Sequence, residues 1–225
     1  MISESQKPIN SGFGAKSEPH EVLDGIDLTG KTAIVTGGYS GIGLETSRAL
    51  SDSGARVIIP ARRVDVAKNE LKGIVSEEDI FPLDLEDQNS TAAFVDDFIK
   101  TGLTIDILIN NAGIGEFAKL EDIKVSHFET TFSTNVFGLT MLTQEVVKFF
   151  KTQQYGTIIN IGSSAATSGF PSGSVYCASK FALRGLTECW RHELRRDNIR
   201  VVLVNPSEVP TAFNNKDRVA QMILT

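Results

Sequence analysis

The chain has 225 residues, of which 41% are hydrophobic and 22% charged, and its formal net charge is -6. The length fits one domain with a sizeable core, and an acidic chain without a basic block argues against a nucleic-acid surface. The start, MISESQKPINSGFGAK, has neither a basic stretch nor an apolar run, and no apolar run reaches the roughly 18 residues of a membrane span. We therefore expect no secretory signal, no membrane partner and no nucleic-acid partner.

Residues 1 to about 28 are polar with scattered glycine and proline, which predicts an extension ahead of one domain over 29–225. From there, short β-branched runs alternate with helix-length stretches. The predicted strands are 32–37, 56–60, 79–84, 106–110, 157–162 and 199–205, and the predicted helices lie near 42–53, 64–73, 87–101, 122–151 and 174–197. This alternation predicts an α/β fold of three layers, in which helices cover both faces of a doubly wound parallel sheet.

The cysteines and histidines show no ligand or disulfide pattern. Cys177 and Cys189 lie twelve residues apart on the last predicted helix, where they cannot meet, so a reducing cytoplasm fits. His20, His127 and His192 are scattered without metal-ligand spacing. We predict a cytoplasmic protein without a metal site.

Two stretches resemble phosphate-binding loops. GIDLTGKT at 25–32 matches a nucleoside-triphosphate loop literally, but it precedes the strand at 32–37, whereas such a loop must follow a strand and open a helix. TGGYSGIG at 36–43 does follow a strand and enter a helix. There Gly37 permits a tight turn, Gly41 lets the backbone approach a pyrophosphate, and Gly43 allows helix and strand to pack closely. The alternative is a glycine-rich connection without a ligand.

The end of the second predicted strand bears on cofactor choice. In a dinucleotide fold a carboxylate there would accept from the ribose hydroxyls of NAD, but VIIPARR has Ala61 at that position, followed by Arg62 and Arg63. An arginine can pair with the 2′-phosphate of NADP, so NADP is favoured over NAD. Two solvated arginines are the alternative. Asp84 and Leu85, which close the third strand, can line an adenine pocket or cap the next helix.

The stretch SVYCASK places Tyr176 one helical turn before Lys180, so the two side chains share a face. A cation near a phenol favours the phenolate and should lower the pKa of Tyr176 towards neutrality, where proton transfer is efficient. An ordinary surface tyrosine with a solvated lysine is the alternative. Asn135 interrupts an apolar stripe on the helix predicted at 122–151, and a buried amide there must find partners, as a structural group or as a relay.

Taken together, these motifs resemble the short-chain dehydrogenase/reductase family in order and spacing over about residues 28–213. The matching motifs are TGGYSGIG, NNAG at 110–113, Asn135, Ser163, and Tyr176 with Lys180. The carboxyl half looks most like 3-oxoacyl-carrier-protein reductases, whereas FGAKSEPHEVLDGIDLTGKTAIVTGG looks more like the retinol-dehydrogenase-like branch. The resemblance implies a Rossmann-type fold and leaves the substrate class open.

The resemblance also implies a catalytic set. Tyr176 would be the general acid in reduction and the base in oxidation, while Lys180 would lower its pKa and hold the nicotinamide ribose. Ser163 would hydrogen-bond the substrate carbonyl, with its neighbour Ser164 as the alternative. Asn135 would be the relay that holds water towards Lys180.

For the cofactor, the resemblance implies contacts from the glycine loop, the arginines, the NNAG segment and the loop after the last strand. The implied cofactor-binding residues are Gly37, Tyr39, Ser40, Gly41, Ile42, Gly43, Arg62, Arg63, Asp84, Leu85, Asn111, Ala112, Gly113, Tyr176, Lys180, Pro206, Val209 and Thr211. Asn110 and Asn111 would tie neighbouring strands together. Ser207 departs from the Pro-Gly that the family usually has in NPSEVPT.

The end of the sequence is the largest departure from the family pattern. The family continues into another helix and a final edge strand, whereas this sequence stops at NNKDRVAQMILT, so we expect an incomplete substrate lid and no last edge strand. The first functional hypothesis is an NADP-dependent reductase of a ketone or aldehyde, acting as a homo-oligomer, a dimer or tetramer. The second is a catalytically impaired dinucleotide-binding or interaction module that lacks a complete lid.

Overall fold

The computed structural model describes residues 11–14, 17–209, 211 and 213. Its described part contains one sheet of six parallel strands in the order β3-β2-β1-β4-β5-β6. The strands are β1 (Thr32–Val35), β2 (Arg56–Ala61), β3 (Ile80–Pro82), β4 (Ile107–Asn110), β5 (Gly156–Ile161) and β6 (Ile199–Val204). Each lies within a residue or two of its predicted range, and the predicted doubly wound α/β fold is confirmed.

Helices cover both faces of this sheet. They are α1 (Pro19–Val22), α2 (Gly41–Asp52), α3 (Val64–Glu70), α4 (Gln88–Lys100), α5 (Val125–Phe132), α6 (Leu139–Gln153) and α7 (Ser174–Leu194). The literal triphosphate-loop match at 25–32 precedes β1 and opens no helix, as its position in the sequence indicated. No helix in the described ranges has both the length and the apolar character that a bilayer crossing requires.

Alternation along the strands divides the core between the two faces of the sheet. Ile34, Ile58 and Leu108 belong to one buried cluster, with the aromatic side chains of α4 and α6. The next residues along, such as Val35 and Ile59, belong to a second cluster with α3. Because successive strand residues point to opposite faces, continuous apolar runs such as TAIV are buried on both sides.

A chain of polar side chains joins the strands that carry the site to the helices behind them. The Asn110 amide donates to Asn160 Oδ1 and to Thr143 Oγ1, each at 2.9 Å, and thereby ties β4 to β5 and α6. The Asn160 amide donates to Thr187 Oγ1 on α7 at 2.8 Å. The expectation that Asn110 ties neighbouring strands is confirmed, and these buried partners fix α7 against the sheet.

The helix predicted over 122–151 is interrupted. A π-helical turn at Ser133–Gly138 separates α5 from α6, so the prediction of one continuous helix is wrong in its middle. The apolar stripe runs through the turn, which is why periodicity alone did not reveal it. Gly138, at the end of this turn, packs so closely on the loop after β3 that a Cβ there would overlap the Leu85 carbonyl oxygen.

Two predictions about the ends of the chain concern residues that are wholly or partly outside the described ranges. The incomplete lid and the missing last edge strand depend on residues 214–225, which lie outside them. Of the extension predicted over 1–28, residues 1–10, 15 and 16 also lie outside, and the described remainder includes α1. The boundary at 28 therefore stays a prediction.

Candidate active site

A cavity of about 1030 Å³ lies at the carboxyl ends of the strands. Ligands in doubly wound sheets bind at this edge, where the strand order reverses direction, here between β1 and β4. The predicted site residues that line it are Gly37, Tyr39, Ser40, Gly41, Ile42, Arg62, Arg63, Asp84, Leu85, Asn111, Ala112, Gly113, Ser163, Tyr176, Lys180, Pro206, Val209 and Thr211. Gly43 and Asn135 support this lining through their contacts with it.

The glycine loop between β1 and α2 has the geometry of an anion cradle. Gly37 and Gly41 have φ values of +62° and +53°, in the left-handed region that favours glycine. A Cβ on Gly43 would overlap the Gly37 carbonyl oxygen and the Asn111 amide, so α2 can approach β1 this closely only with glycine. Ser40 precedes α2 without making a side-chain cap, which leaves the first helical N–H groups to a ligand. These features fit a dinucleotide pyrophosphate.

Thr36 and Asn111 hold this loop against the end of β4. The Thr36 hydroxyl accepts from the backbone N–H groups of Asn111 and Ala112, each at 3.0 Å. The Asn111 amide donates back to the carbonyl oxygens of Thr36 at 3.0 Å and Gly37 at 3.2 Å. Asn111 thus bridges the two strands, as expected. Thr36 was not singled out from the sequence, although it opens the TGGYSGIG motif.

Arg62 lies at the end of β2, as the sequence indicated, and it has an unforeseen neighbour. Its guanidinium pairs with Glu86 Oε1 at 3.6 Å, and the Thr134 hydroxyl donates to the same oxygen at 3.0 Å. Arg62 stays 59% exposed, so this long ion pair contributes little to stability. The guanidinium lines the cavity, and because its ion pair with Glu86 is weak, a stronger anionic partner can replace Glu86.

Tyr176 lies buried on α7, and the Ser163 hydroxyl is near enough to its phenol to affect the pKa of that group. Burial raises the pKa of the Tyr176 phenol above its usual value, and the interaction with the Ser163 hydroxyl opposes that shift. The prediction that the pKa of Tyr176 is shifted towards neutrality is wrong for the structure described, because desolvation of the phenolate dominates. Lys180 Nζ lies 5.8 Å from the centre of the Tyr176 ring.

Lys180 shares a buried face of α7 with Tyr176, as the spacing predicted. Its Nζ donates to the Ile161 carbonyl oxygen at the end of β5, at 2.9 Å. Burial lowers the pKa of Lys180 to about 8, because the charged form loses its hydration. Gly113 lies beside this ammonium: a Cβ there would be in ordinary contact with Nζ at 3.6 Å and in tighter contact with Asn135 Oδ1 at 3.3 Å.

The Asn135 amide is saturated by protein partners. Its nitrogen donates to the Ile114 carbonyl oxygen at 2.8 Å and to Ser179 Oγ at 3.0 Å, and its oxygen accepts from the Ile114 N–H at 2.9 Å. These bonds hold the segment after β4 between the π-helical turn and α7. The side chain thus has the structural role that the sequence left open, and a relay role towards Lys180 stays a prediction.

Of the two adjacent serines, Ser163 is the one that contacts Tyr176. Ser164 is exposed and also lines the cavity, and its N–H donates to the Pro206 carbonyl oxygen at 2.9 Å. That bond brings the loop after β6 beside the loop after β5. The same loop reaches the glycine loop, since a Cβ on Gly41 would lie 3.6 Å from the Thr211 side chain.

Within the described ranges, no group of three or more His, Cys, Asp or Glu side chains is arranged to hold a metal ion. The two cysteines, both on α7, are free thiols. Among the ionisable groups that line the cavity, the Tyr176 phenol and the Lys180 ammonium lie near the Ser163 hydroxyl. Such a set can donate, accept and stabilise a proton at one substrate oxygen.

Comparison with known proteins agrees with this geometry. The chain matches the short chain dehydrogenase family over residues 31–221. It is 33% identical over 193 residues to an NADP-dependent 3-hydroxy acid dehydrogenase of Schizosaccharomyces pombe, an alignment covering 83% of this chain and 74% of that protein.

Two solved structures are similar in fold and sequence. A gluconate 5-dehydrogenase from Burkholderia cenocepacia, in complex with NADP and tartrate, has a TM-score of 0.77 and 28% identity, covering 86% of this chain and 77% of that one. A 3-ketoacyl-(acyl-carrier-protein) reductase from Brucella melitensis, complexed with NADH, has a TM-score of 0.77 and 28% identity, covering 85% and 82%. This chain belongs to the short-chain dehydrogenase/reductase family of NAD(P)-dependent oxidoreductases.

Replacing Gly43 by alanine tests the cradle. The added Cβ must push apart the Gly37 carbonyl and the Asn111 amide, so we expect Gly43→Ala to weaken NADPH binding at least about tenfold in a fluorescence titration. The matched control is Gly185→Ala on α7, where a Cβ meets nothing within 4 Å, and it should bind NADPH as the wild type does. Unchanged binding by a folded Gly43→Ala variant would contradict the packing argument.

Burial of Lys180 predicts a specific dependence of stability on pH. Below about pH 8 Lys180 is protonated in both the folded and the unfolded chain, and burial of its charge destabilises the folded state. Between about pH 8 and 10.5 the unfolded chain binds more protons at Lys180, so its contribution to stability rises with pH. Relative to Lys180→Met, the wild-type free energy of unfolding should increase by about 3 kcal/mol across that window.

Urea titrations at several pH values measure this difference. Lys72→Met, at an exposed lysine, is the matched control for loss of a charge. A difference between wild type and Lys180→Met that does not change from about pH 7 to about pH 10.5 would show that the Lys180 ammonium is not desolvated.

Proposed function

We propose that this chain is an NADP-dependent oxidoreductase that interconverts a ketone or aldehyde and the corresponding alcohol, with Tyr176 as the general acid and base. The observation that carries the proposal is the contact of Tyr176 with Ser163, in the cavity that the glycine loop also lines. A proton donor and a hydroxyl thus lie together in a cavity whose other part fits a dinucleotide.

The raised pKa of Tyr176 suits the reducing direction. At neutral pH the phenol is protonated and can give its proton to a substrate oxygen, while the Ser163 hydroxyl donates a hydrogen bond to that oxygen as negative charge develops. When bound, the nicotinamide supplies or accepts the hydride. In oxidation the phenolate must form first, so the oxidising direction needs a higher pH.

Lys180 supports this proton transfer without touching the substrate oxygen. Its charge lies 5.8 Å from the phenol ring and stabilises the phenolate that remains after the proton leaves. Because its pKa is about 8, it carries that charge at neutral pH. The bond to the Ile161 carbonyl oxygen holds the ammonium in place at the end of β5.

The preference for NADP rests on Arg62. Its weak, exposed pair with Glu86 can be exchanged for charge-assisted bonds to a 2′-phosphate, which are worth roughly 1.5–3 kcal/mol. Ala61, buried at the end of β2, offers no carboxylate to the ribose hydroxyls of NAD. The Schizosaccharomyces pombe relative is named as NADP-dependent, which supports the same choice.

Removing the phenol hydroxyl tests the central role. Tyr176→Phe should lower kcat for any accepted carbonyl by at least about 10²-fold while NADPH affinity stays within about twofold, because the hydroxyl acts in proton transfer. Tyr155→Phe, at a partly exposed tyrosine outside the cavity lining, is the matched control and should turn over as the wild type does. Turnover is followed as NADPH oxidation with a panel of ketones and aldehydes.

Two results of that experiment would contradict the proposal. Retained turnover in Tyr176→Phe would remove Tyr176 as the acid. A wild-type protein that binds NADPH but oxidises it with no carbonyl in the panel would favour the alternative of a catalytically impaired dinucleotide-binding module.

Changing the Arg62 pair tests the cofactor preference. Arg62→Ala should weaken NADPH binding about 10- to 100-fold and leave NADH binding within about twofold, because only NADPH carries the 2′-phosphate. Glu86→Gln should act in the opposite direction and tighten NADPH binding, since it removes a competing anion from Arg62. Arg184→Ala, at a partly exposed arginine on α7, controls for loss of positive charge. Equal effects of Arg62→Ala on both cofactors would refute the assignment.

A further inference from the structure

Three phenylalanines cluster beside Tyr176 in the cavity. The Phe117 and Phe213 rings lie 5.6 Å and 5.8 Å from the Tyr176 ring, centre to centre, and Phe170 lies 6.0 Å from Phe117. All three line the cavity. Each is 45% exposed, so a large part of each ring faces open space beside the reacting phenol.

Local backbone contacts fix two of these rings in place. The Ala118 N–H donates to the Ser172 carbonyl oxygen at 3.0 Å, which brings the Phe117 segment beside the Phe170 segment. Gly173 lets the Phe170 ring fold back over the start of α7, because a Cβ there would come within 2.5 Å of that ring. The aromatic wall, meaning Phe117, Phe170 and Phe213, is thus built into the site.

Three of the five charged side chains that line the cavity belong to the strand ends of the proposed cofactor site, and the other two are Lys180 and Glu208. Arg62, Arg63 and Asp84 lie at the ends of β2 and β3, where the cofactor phosphate is proposed to bind. The aromatic wall lies instead against Tyr176, where the substrate oxygen must be. A partly exposed aromatic ring beside a reacting group binds an apolar ring of the substrate most favourably, because an aromatic pair is stabilised by more than the apolar area that it buries.

We propose that the substrate is a neutral ketone whose carbonyl carries an apolar ring, and that the aromatic wall binds that ring. This assignment rests on the function proposed above. In the reaction the carbonyl carbon gains a hydride from NADPH and its oxygen gains the proton of Tyr176, which yields a secondary alcohol and NADP⁺. Phe117 and Phe170 are the residues that determine the preference for the ring.

A comparison of two ketones tests the assignment. Acetophenone carries a ring and 2-butanone does not, and kcat/KM is measured for both with NADPH. The wild-type ratio of kcat/KM for acetophenone to kcat/KM for 2-butanone is then divided by the ratio measured for a variant. This division cancels the different reactivities of the two ketones. Displacement of Tyr176 by a mutation lowers both kcat/KM values alike, so it leaves the ratio unchanged.

We expect Phe117→Ala and Phe170→Ala each to lower the acetophenone to 2-butanone ratio about tenfold, and Phe117→Leu to lower it less. The matched control is Phe13→Ala, at a phenylalanine that is 49% exposed and outside the cavity lining, and its ratio should equal the wild-type ratio. If neither wall variant changes the ratio, the assignment is overturned.

A binding measurement separates this assignment from the proposed function. Calorimetry with protein saturated by NADPH, which cannot react with an alcohol, measures the affinity for 1-phenylethanol, the alcohol of acetophenone, and Phe117→Ala should weaken it about tenfold. Binding that depends on Phe117, without turnover of either ketone, would support the assignment and contradict the proposed catalysis. Turnover of 2-butanone with no binding of 1-phenylethanol would support catalysis and overturn the assignment.

Discussion

The close backbone approach between β1, α2 and β4 is the constraint on which the site depends. The sheet order reverses between β1 and β4, which opens a crevice at their carboxyl ends. Gly37 and Gly43 let the chain turn and the helix come near, and Asn111 fastens the loop to β4. Without this approach the N-terminus of α2 would not face the cavity, and the groups on β5 and α7 would have no cofactor beside them.

Burial of both Tyr176 and Lys180 sets the chemistry that this crevice can support. Desolvation raises the pKa of the phenol and lowers the pKa of the ammonium, because burial disfavours the charged form of each group. The phenol keeps its proton until a substrate oxygen accepts it, and the charge it then acquires lies near the lysine. The polar chain through Asn110, Asn160 and Thr187 keeps α7, which carries both groups, in register with the sheet.

Features that depend on neighbouring residues could be predicted from the sequence. The alternation of strands and helices gave the parallel sheet, and the glycine spacing, Arg62 and the Tyr176–Lys180 turn are all short-range patterns. The sequence did not reveal Glu86 beside Arg62, or the convergence of Phe117, Phe170 and Phe213, because these contacts join distant segments. The predicted direction of the Tyr176 pKa shift was wrong because desolvation depends on tertiary burial, which the sequence of one helix does not show.

Transfer of deuterium from NADPH to the alcohol is the decisive test of the proposed hydride transfer. The protein is mixed with an accepted ketone and NADPH that carries deuterium at both positions of nicotinamide carbon 4, and the alcohol is examined by mass spectrometry. We expect one deuterium on the carbinol carbon for each NADPH consumed, because hydride passes directly between the two bound molecules. An alcohol without deuterium, or NADPH consumption without alcohol, would contradict it.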